Sequence, residues 1–301
     1  MPFNILDAPV EELNSMVFTT ARLQVSVLRL DKIHPVVSGN KIFKLHYFLK
    51  AAVESPNKTL LTFGGAYSNH LAATAYACKQ AGVKSIAVVR GEKPSVLSHT
   101  LQHCLDNGMH LKFVTREDYT TKDEIIFLQQ LQNEFGECII VPEGGFGVTG
   151  AKGAAKIYEC IPSNTFTHIC TAVGTATTAA GLLSSTVNET IICIPVLKGM
   201  TDIKQRIALC GVNIAKANQL QILDEYHFGG YAKKTPELIS FMNELWQQFQ
   251  LPTDFVYTAK MFYAIFDKIK KGWFTPGCNI LCIHTGGLQG NLSLPAGSLL
   301  F

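Results

Sequence analysis

The chain has 301 residues, enough for one large domain or two modest ones with a packed core. Apolar residues make up 47% and charged residues 16%, the profile of a packed enzyme and not of a disordered or fibrous chain. A net charge of +3, with the basic residues scattered, leaves no nucleic-acid footprint.

From the N-terminus, MPFNILDAPVEELN carries early acids and lacks the apolar run of a signal peptide. The first expected strand is LQVSVLRL (23–30), and the next is TLLTF (59–63). A helix over 67–82 leads to strand SIAVVR (85–90), and a helix over 97–107 leads to HLKFV (110–114). A helix over 121–134 precedes CIIVP (138–142), and one over 149–160 precedes THICTAV (167–173). After a helix over 177–186 comes TIICIPVL (190–197). Helices over 201–211, 235–249 and 259–270 precede NILCIHT (279–285). This alternation predicts an α/β fold with mostly parallel strands and helices on both faces. No linker separates two halves, so a two-domain chain must cross between them more than once.

No uncharged apolar run spans a membrane, so neither a membrane nor a nucleic-acid partner is expected. The nine cysteines lie mostly in apolar runs such as HICTAV, IICIPV and ILCIHT. They form no CxxC pair and no zinc-type cluster, so no metal is expected, and a reducing, cytoplasmic location is. Glycines gather at strand ends, in FGGAYSN, PEGGFGVTG, VGTATTAAG, HFGGY and HTGGLQGN. Ligands of open α/β sheets bind beyond the carboxyl ends of strands, so these loops point to one crevice.

VGTATTAAG (173–181) follows a strand and opens an Ala-rich helix. The unpaired first amides of that helix, with the hydroxyls of Thr175, Thr177 and Thr178, suit a phosphate; an ordinary capped turn is the plainer alternative. Without GxxxxGK[ST] it is no nucleotide-triphosphate loop. FGGAYSNH (63–70) has the same design. Ser68, Asn69 and His70 open its helix and suit a substrate carboxylate, with a simple N-cap as the alternative. In SGNKIFKL (38–45), Lys41 and Lys44 share a helix face beside Ile42, Phe43 and Leu45. Desolvated there, a lysine amine loses basicity and becomes a nucleophile fit for an aldehyde cofactor; otherwise both ammonium groups extend to solvent.

Together these segments resemble the pyridoxal-phosphate family that contains 1-aminocyclopropane-1-carboxylate deaminase and D-cysteine desulfhydrase. The resemblance runs through LRLDK (28–32), SGNKIFK (38–44), FGGAYSNH (63–70), VGTATTAAG (173–181), DFVYTAK (254–260) and HTGG (284–287), in the family's order. It implies a tryptophan-synthase-β-like fold (fold type II) of two three-layer α/β domains. The large one would take 1–50 and 147–301, and the small one 51–146. It implies that Lys41 carries pyridoxal 5'-phosphate as a Schiff base and that Lys44 lies near the phosphate. Gly174, Thr175, Ala176, Thr177 and Thr178 would cradle that phosphate, and Asn69 would bond the ring's phenolic oxygen. Ser68 would stand beside the substrate as proton donor or nucleophile. Tyr257 would lie against the ring or substrate, with Tyr231 of FGGY as a second site tyrosine.

Thr258 and Thr285 discriminate among substrates. By the resemblance, true cyclopropane deaminases carry a glutamate facing the pyridine nitrogen at the first position and a leucine at the second. Desulfhydrase-like members carry small polar residues at both. A threonine hydroxyl donates to a neutral nitrogen and leaves a weaker electron sink, adequate for expelling thiolate. LRLDKIHPVV stands where the family has an Arg-Asp-Asp stretch, and DFVYTAK lacks a usual Pro and Gly. The expected activity is that of a lyase or hydrolase of a small amino acid. Foremost is D-cysteine desulfhydrase-like β-elimination to pyruvate, ammonia and sulfide. 1-Aminocyclopropane-1-carboxylate deaminase, or another small-amino-acid deaminase or racemase, is the alternative, and a non-catalytic binder of a phosphorylated ligand is the rival of another class. The resemblance also implies a homodimer. The remaining histidines show no common spacing, and His284 is at a strand end beside the expected site.

Overall fold

The computed structural model describes residues 7–34, 37, 39–162 and 165–301. The first six residues of the expected large domain and Ser38 of SGNK lie outside the described residues. In chain order the elements are β1 (Val10–Glu12), α1 (Met16–Ala21), β2 (Gln24–Arg29), α2 (Asn40–Glu54), β3 (Thr59–Gly64), α3 (Asn69–Gln80) and β4 (Lys84–Arg90). Then follow α4 (His99–Asp106), β5 (His110–Val114), α5 (Ile125–Phe135), β6 (Ile139–Val141), α6 (Val148–Ala155), β7 (His168–Val173), α7 (Thr177–Ser185) and β8 (Thr190–Pro195). The chain ends with α8 (Ile203–Leu209), β9 (Leu220–Ile222), α9 (Pro236–Phe249), α10 (Thr258–Lys270) and β10 (Asn279–His284).

The strands form two sheets, ordered β1-β2-β10-β7-β8-β9 and β5-β4-β3-β6. Every pairing is parallel except β1 with β2. The mostly parallel α/β architecture expected from the sequence is therefore present, and all eight expected strands and eight expected helices occur. β1 and β9 were not expected, because three residues carry no readable period. α1 is only six residues long. α2 extends the turn around Lys41 and Lys44 into a helix of fifteen residues. α6 stops at Ala155 and continues as a 3-10 helix over Lys156–Cys160, which divides the expected 149–160 helix.

Period-2 patterning explains how the larger sheet is covered on both faces. Along β10, Leu281 and Ile283 join the apolar cluster that contains Leu45 and Leu182, while Ile280 and Cys282 join the one around Phe262 and Ile265. In the second sheet Ala87 and Val89 pack with Leu71 and Leu101, and Ile86 and Val88 with Leu131. Seven of the nine cysteines are buried in this interior. No helix among the described residues is long and apolar enough to cross a membrane.

One cluster takes Leu60, Ala73 and Val141 from around the second sheet and Leu28, Ile169 and Val173 from the first. α2, α6 and α7 pass through it at close range, and two glycines permit the approach. A Cβ at Gly153 would lie 2.1 Å from the Phe43 carbonyl oxygen. A Cβ at Gly181 would lie 2.6 Å from the Ala155 nitrogen and 2.7 Å from the Ala151 oxygen. Both obstacles at Gly181 are backbone, so Gly181→Ala must part α6 from α7. It should lower stability by about 1–3 kcal/mol, seen as a lower urea midpoint at unchanged slope.

Candidate active site

α2 begins where the loop after β10 crosses it. Gly39 has φ +80°, and a Cβ there would sit 1.9 Å from the Thr285 carbonyl oxygen, so only glycine fits. The Asn40 amide then donates to that same oxygen over 3.2 Å, which pins the start of α2 to the end of β10. The Asn40 side-chain amide works in two directions. Its Nδ2 donates to Thr178 Oγ1 at 2.7 Å, and its Oδ1 accepts from Lys41 Nζ at 2.6 Å. Three segments far apart in sequence therefore converge on Lys41.

The Lys41 ammonium is 5.6 Å from the centroid of the Tyr257 ring. Burial pushes its pKa down to about 8, with the Asp254 charge opposing the shift. Lys44, one turn later, is buried and donates to the Gly144 carbonyl oxygen at 3.1 Å. Burial and the neighbouring Lys41 charge hold it well below the usual lysine range. Gly144 touches Thr175, since a Cβ there would lie 3.0 Å from Thr175 Cγ2. The loop PEGG (142–145) thus joins Lys44 to the β7–α7 turn.

That turn contains Gly174, Thr175 and Ala176. Ala176 occupies the N-cap of α7 with φ +64° and makes no side-chain cap bond. The first-turn amides are therefore left to an external anion, at the positive end of the helix dipole. Thr175 Oγ1 and Thr177 Oγ1 are 2.9 Å apart at its rim, and Thr178 is held by Asn40. Gly174 lies beneath Tyr257, 3.2 Å from its Cε1 measured from an added Cβ.

At α3, Ser68 is the N-cap and accepts from the Leu71 amide at 3.3 Å. The capping role weighed for this serine is thus in place, and its hydroxyl proton remains available. Asn69 Nδ2 reaches the Gly287 carbonyl oxygen at 3.5 Å, and its buried Oδ1 has no partner among the described residues. His70 turns inward, with Nε2 2.8 Å from Thr62 Oγ1. Burial, then the charges of Lys44 and Lys41, lower its pKa to about 3, so it is a neutral interior imidazole. Only its backbone belongs to the rim.

α10 brings the remaining groups. Asp254 is fully buried, and its Oδ2 accepts from the Val256 and Tyr257 amides while its Oδ1 accepts from the Thr258 amide. Thr258 Oγ1 donates to the same Oδ1 at 2.8 Å. The hydroxyl proton of Thr258 is thus already committed to a carboxylate. The Tyr257 hydroxyl bonds that of Tyr231, and burial raises the pKa of both phenols. Thr285 is buried, and its carbonyl holds Asn40.

Asn40 and Asp254 were not among the expected site residues. Asp254 has a readable signal, an Asp four residues before a helix start. Asn40 has none beyond adjacency to Lys41, because its partner Thr178 is 138 positions away.

A family model described as "Pyridoxal-phosphate dependent enzyme" matches residues 4–286. A protein of Pyrococcus abyssi, provisionally named a 1-aminocyclopropane-1-carboxylate deaminase, is 30% identical over 89% of this chain and 86% of its own length. The Arabidopsis thaliana mitochondrial bifunctional D-cysteine desulfhydrase/1-aminocyclopropane-1-carboxylate deaminase is 27% identical over 84% of this chain and 70% of its own. Among solved structures, an "ACC deaminase homologue" superposes with a TM-score of 0.80 at 26% identity, covering 96% of this chain and 92% of the other.

Two pH effects follow from these environments. Only the neutral Lys41 amine attacks an aldehyde, so the rate of pyridoxal-phosphate uptake by the apoprotein should rise between pH 6.5 and 9.5 with a midpoint near 8; stopped-flow absorbance measures it, and a flat profile contradicts the assignment. For His70, the unfolded chain titrates near 6.5 and the folded one near 3. The unfolded state therefore binds the extra proton between those values, and stability present above pH 6.5 is lost as pH falls toward 3. His70→Gln should flatten that acid slope in urea midpoints taken from pH 7 to 4.5.

Proposed function

Because the chain belongs to the pyridoxal-phosphate-dependent enzymes of tryptophan-synthase-β-like fold, we propose that it cleaves a small amino acid, D-cysteine foremost, into pyruvate, ammonia and sulfide. The balance is D-cysteine plus water giving those three products, with no oxidant or reductant required. When bound, pyridoxal phosphate supplies an electron sink for the substrate's α-carbon.

The residues present fit that cofactor. Lys41 offers an amine of lowered pKa to its aldehyde. The uncapped start of α7, rimmed by Thr175 and Thr177 and backed by Lys44, suits its phosphate. Gly174, Ala176 and Thr178 complete that cradle. Asn69 has an unpartnered buried oxygen to offer a ring substituent, whereas the Thr258 hydroxyl, which the sequence suggested as a donor to the ring, gives its proton to Asp254 instead.

Lys41 is the observation that carries the reading: a half-buried amine beneath Tyr257, its basicity lowered so that it is partly neutral near physiological pH. Such a group takes a proton from carbon and returns one to product. Ser68 keeps a hydroxyl proton for the departing group, and the Asn69 and His70 amides at the start of α3 hold the substrate carboxylate. Tyr257, with Tyr231 outside it, excludes water from the amine. Thr258 and Thr285 bring small polar side chains, which supports a good leaving group such as thiolate over an unactivated cyclopropane. Asp254 does not reverse this, because its oxygens are filled by three amides and the Thr258 hydroxyl. The reading extends to a large domain of 1–50 and 147–301, a small one of 51–146, a homodimer and a cytoplasmic location. The two separate sheets support the domain division.

The test is a substrate panel on the reconstituted enzyme: D-cysteine, D-serine and 1-aminocyclopropane-1-carboxylate, scoring pyruvate against 2-oxobutyrate. The expected result is pyruvate and sulfide from D-cysteine and little 2-oxobutyrate, and the reverse order assigns the protein to cyclopropane deamination. Lys41→Ala should lose the visible cofactor band and at least about 10³-fold in kcat. A wild-type protein that takes up cofactor but turns over none of the three sinks the proposal.

A further inference from the structure

Lys260 is the third residue of α10 and is fully buried. A buried ammonium is costly unless its protons are matched. No salt bridge to Lys260 occurs among the described residues. Nζ instead donates to two backbone carbonyls, of His227 at 2.9 Å and of Gly230 at 2.7 Å. Burial draws its pKa down to about 8, with the Asp254 charge opposing.

The two carbonyls belong to the loop that ends in Tyr231. That loop is not a conformation the chain adopts by default, since Phe228, Gly229 and Gly230 have φ of +50°, +88° and +118°. Its own ties include the turn bonds from the Gly230 amide to the His227 oxygen and from the Lys233 amide to the Gly230 oxygen, and a bond from the Gly229 amide to His227 Nδ1. Tyr231 is 48% exposed, and its ring lies 6.1 Å from that of Tyr257, which in turn covers Lys41. Tyr257 and Lys260 are three residues apart, on one face at the start of α10. One helical turn therefore grips the loop at both ends: the Tyr257 hydroxyl holds Tyr231, and the Lys260 ammonium holds His227 and Gly230.

We propose that Lys260 is a positioning residue that latches the 227–231 loop, keeping Tyr231 against Tyr257 and so shaping the outer wall through which a small amino acid reaches Lys41. The proposal rests on the reading of Lys41, Tyr257 and Tyr231 as one site. The latch acts through backbone carbonyls, so the loop sequence matters less than the donor beneath it.

The experiment is Lys260→Met in the cofactor-loaded enzyme, with hydrogen exchange read first in the absence of substrate. Amides 228–233 should exchange about tenfold faster or more, while those of β7 and β10 keep wild-type rates. With the amino acid that the panel shows to be turned over, KM should rise about tenfold and kcat change less than about threefold. In a Tyr231→Ala background, Lys260→Met should add less than about twofold to KM, because both changes remove the same wall. Unchanged exchange in the loop, or additive effects in the double variant, overturns the latch and leaves Lys260 a structural interior lysine. Lys260→Gln keeps an amide donor for one carbonyl and should fall between wild type and Met, so the question remains open to test if the methionine variant does not fold. Failure of the substrate panel overturns the functional reading alone, because the exchange result is obtained without substrate.

Discussion

An amine held partly out of water is the constraint on which the arrangement of this protein depends. Lys41, half-buried, loses solvation, and its 2.6 Å bond to Asn40 Oδ1 restores only part of it. Asn40 can make that bond because its other side-chain atom is fixed by Thr178 and its amide by Thr285. The helix bearing Lys41, the strand end at β10 and the start of α7 are thus set relative to one another by a single residue. If the three elements separated, water would reach the amine and its pKa would climb back toward that of a free lysine.

The close packing of α2, α6 and α7 serves the same arrangement. Gly153 and Gly181 let three backbones approach to distances that no side chain permits. That closeness brings the turn at Gly174–Ala176 within reach of α2. It also sets the 142–145 loop between Lys44 and Thr175, so the second lysine faces the uncapped end of α7 across one layer of backbone.

A second network stiffens the opposite wall. Arg29 makes a two-pronged pair with Asp31, at 2.9 and 2.7 Å, and also reaches Glu11. His284 Nδ1 lies 3.2 Å from Asp31, and its Nε2 is 2.7 Å from the Pro252 carbonyl oxygen. The segment leading to Asp254 and α10 is therefore braced from β2 and β10. LRLDK and the histidine of HTGG act here as supports beneath the site. A histidine at a strand end next to reactive groups is easily read as chemical, but the fold spends both of its nitrogens on bracing.

The sequence by itself determined the alternation of strands and helices, because buried parallel strands such as HICTAV and NILCIH need continuous apolar runs. It also determined which glycine-rich loops close the strand ends, where ligands of parallel α/β sheets bind. It determined that Lys41 lies on an apolar helix face. Only the tertiary structure decided what surrounds it: that Asn40 holds it through a residue 138 positions away, and that His70 points inward to Thr62. Likewise only the structure revealed that Asp254 takes the Thr258 proton and that Lys260 faces the loop before Tyr231. Periodicity reports which face of an element is buried. The partner of a buried polar atom is fixed by long-range packing, which leaves no local pattern, and the same packing sets the basicity of Lys41 through its loss of solvent and the charge of Asp254.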